Sequence, residues 1–119
     1  MRYLYFIGLM ICLSFNAQAA TFIEGLEDVP VAPGLHQIQN DTLSFGNEES
    51  RFVEVILEGN KTSFGTVGNF YKSTLPQMGW IYQGKRGKTF LFDRDGEVMD
   101  ISKDAENPLR IRITVKSKI

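Results

Sequence analysis

Phe90-Leu91-Phe92-Asp93-Arg94-Asp95-Gly96-Glu97-Val98-Met99-Asp100-Ile101 is the stretch on which the fold turns. Asp-Gly suits the centre of a two-residue hairpin turn, where both positions need positive φ. With Asp95 and Gly96 at that centre, Arg94 faces Glu97, Phe92 faces Met99 and Phe90 faces Ile101. Phe90, Phe92, Met99 and Ile101 then share one side, and Leu91, Asp93, Val98 and Asp100 the other. A slip of one residue would invert every side chain, so this division of apolar from mixed residues sets the register. The acidic residues Asp93, Asp95 and Glu97 lack the longer run of alternating oxygen ligands and the distant Glu of a calcium loop.

Outward from this hairpin, Leu109 to Val115 alternates. Leu109, Ile111, Ile113 and Val115 point one way and Arg110, Arg112, Thr114 and Lys116 the other, the pattern of a half-buried antiparallel strand. On the N-terminal side, Trp80 to Gln83 is expected to pair with Lys88 to Asp93 through a turn at Gly84-Lys85-Arg86-Gly87, whose charges discourage edge pairing. Before it, Val67, Phe70, Tyr71, Thr74, Leu75 and Met78 form a helical stripe after Thr66, a candidate N-cap. Pro76 falls in the last turn and Gly79 ends the helix. Phe70, in mid-stripe, is expected to be fully buried. Arg51 to Glu58 reads as a strand stopped by Gly59-Asn60. Thr21 to Asn47, with Pro30, Pro33, Gly34 and Gly46 and no sustained period, reads as an extended wrapping segment. The expectation is an α+β domain: one amphipathic helix on an antiparallel sheet of about five strands.

The first residues carry Arg2, an apolar run from Leu4 to Phe15 and then Ala17-Gln18-Ala19, the make-up of a cleavable secretory signal over residues 1–19. A run of about 12 apolar residues is short of the roughly 20 needed to span a bilayer. Cys12 lies inside the run, which disfavours lipidation. Cleavage after Ala19 leaves residues 20–119 as a single domain in the periplasm, without a stable membrane span and without cysteine. A chain of that length buries roughly two thirds of its unfolded surface in one core.

A thiol-free mature chain excludes disulfides, zinc-thiolate sites and cysteine nucleophiles. The one histidine, His36, leaves little material for metal sites or for acid-base chemistry near neutral pH. His36 with Asp41 and Ser44 is the most defensible catalytic set, but proximity in sequence supplies no triad geometry, so neither catalysis nor a cofactor is expected. Residues 20–60 hold eight acidic and one basic residue, and residues 61–119 six acidic and 11 basic. This asymmetry points either to an anionic partner for the basic half or to the two halves packing on each other. Export and a mature balance of 12 basic against 14 acidic residues disfavour nucleic acid.

The sheet face away from the helix is expected to gather Trp80, Tyr82, Arg110, Arg112 and Lys116, a mixture of rings and cations able to take stacked rings or anionic sugars. Two alternatives stand beside that reading. The acidic extended segment could cover this face, or Glu54 and Glu58 could pair with Arg110 and Arg112 across strands.

Glu27-Asp28-Val29-Pro30 with Pro33-Gly34-Leu35, the Glu49 to Glu54 stretch, Phe70-Tyr71 with Thr74-Leu75-Pro76-Gln77-Met78-Gly79-Trp80, and Arg94-Asp95-Gly96-Glu97 occur in that order. Together they resemble a family of small exported alphaproteobacterial proteins of unknown function. The resemblance spans most of the mature chain and implies a periplasmic location without supplying an activity. In architecture the chain also resembles the helix-on-sheet domains of lipoproteins in the outer-membrane protein assembly machinery, and a fold does not fix a function. The expected role is a protein-interaction module of the cell envelope, with a binder of an envelope glycan or anionic polymer as the alternative.

Overall fold

The computed structural model describes residues 21–39, 42–47 and 50–118. The secretory signal expected at residues 1–19 lies outside them, as do Asp41 and Glu49. Among the described residues no helix is long and apolar enough to cross a membrane.

The elements run β1 (Phe22–Ile23), β2 (Leu26–Pro30), β3 (His36–Gln37), β4 (Leu43–Gly46), β5 (Arg51–Gly59), α1 (Phe64–Thr74), β6 (Ile81–Arg86), β7 (Thr89–Arg94), β8 (Glu97–Glu106) and β9 (Leu109–Ser117). The fold is α+β. Its main sheet is antiparallel in the order β3-β5-β9-β8-β7-β6, with β4 also on β5, so it has seven strands rather than about five. The two additional strands, β3 and β4, come from the segment read as irregular. Each is too short, at two and four residues, to display a period of its own, and pairing to β5 is what makes them strands.

The β7–β8 hairpin has the register set by Asp95-Gly96: Arg94 opposite Glu97, Phe92 opposite Met99 and Phe90 opposite Ile101. Both turn residues have positive φ, 43° at Asp95 and 82° at Gly96. Leu109, Ile111, Ile113 and Val115 of β9 are all buried. They join Val53, Val55 and Leu57 of β5 and Met99 and Ile101 of β8 on the face that α1 covers.

Helix α1 begins one turn-start earlier than Thr66. Ser63 is the N-cap, and its side chain accepts from the Thr66 backbone N–H at 3.3 Å. The buried stripe is Val67, Gly68 and Tyr71, continued by Leu75, whereas Phe70 is only half-buried at the flank. The helix is rolled towards Gly68 because a glycine lets the ring of Phe90 approach the helix backbone; a Cβ there would collide with Phe90 Cζ and Cε2. Pro76 lies in a 3-10 turn over Leu75–Met78, which ends at Gly79 with φ of 91°.

The described residues of the N-terminal segment pack on the helix side of the sheet and along the β5 edge rather than across the outer face. Its β1–β2 hairpin lies beside α1, with Ile23, Leu26, Val29 and Ala32 buried in the same core. Tyr71 anchors it: the hydroxyl donates to the Pro30 carbonyl at 2.7 Å and accepts from the Ala32 N–H at 3.0 Å. Each large apolar side chain buried in this way is worth about 1.5–3 kcal/mol. One sheet face is thus closed by helix and hairpin, and the other is left uncovered by either.

Candidate functional site

The five residues expected on the outer face are divided between the two faces. A four-residue turn at 84–87 would set Tyr82 opposite Thr89. Instead β6 continues through Gly84 to Arg86, turns at Gly87-Lys88, and carries a bulge between Tyr82 and Gly84, where Gly84 has φ of 111°. The extra residue reverses the alternation. Tyr82 therefore lies opposite Phe92 on the helix side and packs on its ring with centroids 5.3 Å apart. Trp80 is buried, at 1% exposure. The guanidinium of Arg94 lies 4.3 Å from the Trp80 ring centroid while donating to Asp28 at 2.6 Å and to the Met78 carbonyl at 3.0 Å. Trp80 and Arg94 thus close the end of the core rather than line a site.

Arg110, Arg112 and Lys116 do lie on the outer face, and two of them are neutralised there. Arg112 contacts Glu54 at 2.9 Å and Asp104 at 2.6 Å, and Arg110 contacts Glu58 at 3.5 Å. The hydrogen bond to Asp104, opposed by slight desolvation and reinforced by Glu54, raises the Arg112 pKa above its usual value. Cross-strand pairing, one of the two alternatives for these arginines, is the arrangement found. Lys116 stands between Phe52 and Val98 in the cross-strand row and lines a shallow groove of about 290 Å³ with Phe45, Arg51 and Phe52.

His36 and Ser44 do not converge. His36 is paired with Glu58 and Ser44 with Val53, five residues apart on β5 and on opposite faces, a spacing of about 17 Å along the strand. Among the described residues there is no group of three side chains placed to hold a metal ion.

Sequence reasoning passed over the outer end of β4. Leu43 and Phe45 are 48% and 60% exposed, and Phe45 stacks on Phe52 of β5 at 5.1 Å. All four residues of β4 are exposed, and the strand is hydrogen-bonded to β5 on one side. The signal was the Leu43-Ser44-Phe45 alternation ahead of a turn into Arg51, too short to stand out beside β5. Comparison of this chain with protein-family models, with curated proteins and with solved structures gives no match.

A second concavity, of about 750 Å³, runs between the N-terminal segment and α1, with Phe22, Leu35, His36 and Phe70 on its walls. A smaller one, of about 340 Å³, shares Ala32, Pro33 and Phe70 with it. Half-exposed Phe70 separates these hollows, which is where the roll of α1 places it.

Proposed function

We propose that this protein is a non-catalytic, periplasmic protein-interaction module of the cell envelope, and that it engages its partner along β4. The observation that carries the reading is the combination of a strand edge that no other strand pairs among the described residues with exposed apolar side chains at Leu43 and Phe45. An unpaired edge offers backbone donors and acceptors to an incoming extended segment, and alternate side chains give that segment specificity. Phe45 is held in place by its stack on Phe52, so little side-chain freedom is lost when a partner covers it. The signal-like first 19 residues, and the resemblance to small exported proteins, support a partner in the envelope.

The test is site-specific photo-crosslinking in cells from position 45, with position 77, on the exposed part of the 3-10 turn, as the control. The expected result is a discrete adduct with an envelope protein from position 45, absent from position 77 and abolished by Leu43→Asp. Equal yields at both positions, or none at 45, would overturn β4 as the docking edge. Mass spectrometry of the same envelope fraction checks export, with Ala20 expected as the N-terminal residue.

A further inference from the structure

From Gly59 to Phe92 the chain contains Lys61, Lys72, Lys85, Arg86 and Lys88 and not one acidic residue. Taking these five from the 13 basic residues leaves eight, set against all 14 acidic ones, so the chain is strongly divided in charge. The fold brings four of the five, Lys72, Lys85, Arg86 and Lys88, to one corner. Lys72 of α1 places its ammonium 5.5 Å from the Tyr82 ring centroid and 5.6 Å from that of Phe90. Lys85 of β6 reaches the same Phe90 ring at 5.2 Å. Two ammonium groups from different elements are therefore held over one ring, and Arg86 and Lys88 extend the charge around the turn.

The corner is not neutralised from within. Among the described residues none of Lys72, Lys85, Arg86 and Lys88 has a carboxylate partner. Asp104 and Glu106, the carboxylates of β8 at that end of the sheet, are engaged by Arg112 at 2.6 Å and Lys103 at 3.2 Å. Like charges gathered without a counter-charge repel one another, and an anion relieves that repulsion.

The geometry points to docking of this corner on an anionic phospholipid bilayer. Three features choose a surface over a small anion or a soluble chain. None of the four residues lines any of the three grooves described above, so none of those concavities gathers the cluster around a small anion. Three of its cations are lysines, compact point charges on flexible stems rather than the fixed bidentate fork that grips a single phosphate or carboxylate. The same edge strand also carries an aromatic of the kind found at a membrane interface: Tyr82, half-buried, has its ring 5.5 Å from the Lys72 ammonium. The acid-rich remainder is repelled by such a surface and turns the corner towards it. The corner lies at the β6 edge, and β4 lies on the far side of the sheet. Docking would therefore leave the proposed protein edge free, and the two sites fail or succeed separately.

The experiment is co-sedimentation of the exported protein, in the N-terminal form that cells produce, with vesicles of phosphatidylglycerol and of phosphatidylcholine, and a parallel binding assay with soluble polyphosphate. Two variants remove the same charge from opposite ends of the strands: Lys85→Gln with Arg86→Gln, and Lys116→Gln with Lys118→Gln. A Lys85→Arg variant keeps the charge at the corner, and thermal melting verifies that each variant folds. Expected are binding to phosphatidylglycerol that falls steeply with salt, about a tenfold or greater loss in the corner variant, little loss in the Lys116/Lys118 variant, and retention in Lys85→Arg. Equal losses in both double variants, equal binding to the two lipids, or binding to polyphosphate without binding to vesicles would each overturn the proposal.

Discussion

The phenol of Tyr71 is locked to the backbone of Pro30, donating across 2.7 Å from the centre of α1 to the segment that runs beside it. With the Ala32 N–H accepted by the same oxygen, this side chain joins the N-terminal hairpin to the helix. Tyr71→Phe keeps the ring and leaves a buried carbonyl and a buried N–H without their partner. The expected cost is about 1–3 kcal/mol in denaturant unfolding, with faster amide exchange at Ala32.

The same hydroxyl makes an alkaline prediction. Burial pushes the Tyr71 pKa up from its ordinary value of 10.0, and the Ala32 hydrogen bond lowers it only in part. The folded state therefore holds this proton more tightly than the unfolded chain does. The stability it contributes is complete below about pH 10 and is lost as pH rises from there towards the folded-state value. Unfolding free energy measured between pH 9 and 11 should decline more steeply in the wild type than in Tyr71→Phe; identical slopes would contradict this.

Gly68→Ala sets two effects against each other. In an exposed helix the change would stabilise by about 1 kcal/mol through propensity. Here the added methyl enters the space of the Phe90 ring, already packed on Phe64 at 5.0 Å, and overpacking of about 1–3 kcal/mol outweighs it. The variant should be less stable, and Phe90→Leu in the same chain should recover part of the loss.

Reversal of Arg112 to Glu should lower the melting temperature, because it places a third acid between Glu54 and Asp104. Adding Glu54→Arg should restore part of the stability. A coupling of about 0.2–1 kcal/mol is expected, since the Arg112 side chain is 40% exposed. A double-mutant cycle by thermal melting reads it directly.

Phe70→Ala and Leu75→Ala distinguish the observed helix roll from the stripe read in the sequence. Leu75 is fully buried and its truncation should cost about 2–5 kcal/mol. Half-buried Phe70 should cost clearly less, and the reverse order in equilibrium unfolding would place the helix on the wrong face.

Local pattern carries some elements of this fold and stops short of others. The β7–β8 register was legible because Asp95-Gly96 sets both the turn and the pairing, and β9 because its alternation runs through Leu109, Ile111, Ile113 and Val115. The roll of α1 was not legible: Gly68 looks like a weak helix residue until Phe90, 22 positions later, is seen to need its missing side chain. The face of Tyr82 hinged on one bulge residue, and a bulge leaves no period to read. The outer arginines were placed correctly as a set, while their neutralisation required knowing which strand lies beside β9. The cationic corner depends on Lys72 and Lys85 meeting across the helix–sheet boundary, a tertiary contact invisible to spacing.

The position of β9 between β5 and β8 has a kinetic meaning. Residues 109–117 are late in the sequence yet occupy an inner lane of the sheet, so β5 must wait about fifty residues for one of its neighbours. Until that strand arrives, a growing chain has two pairing edges open and lacks the buried side chains of Leu109, Ile111, Ile113 and Val115, and the long loop it must close slows the final step. Completion of the sheet is thus delayed until the last strand is available, so an unfinished chain stays threadable over most of its length.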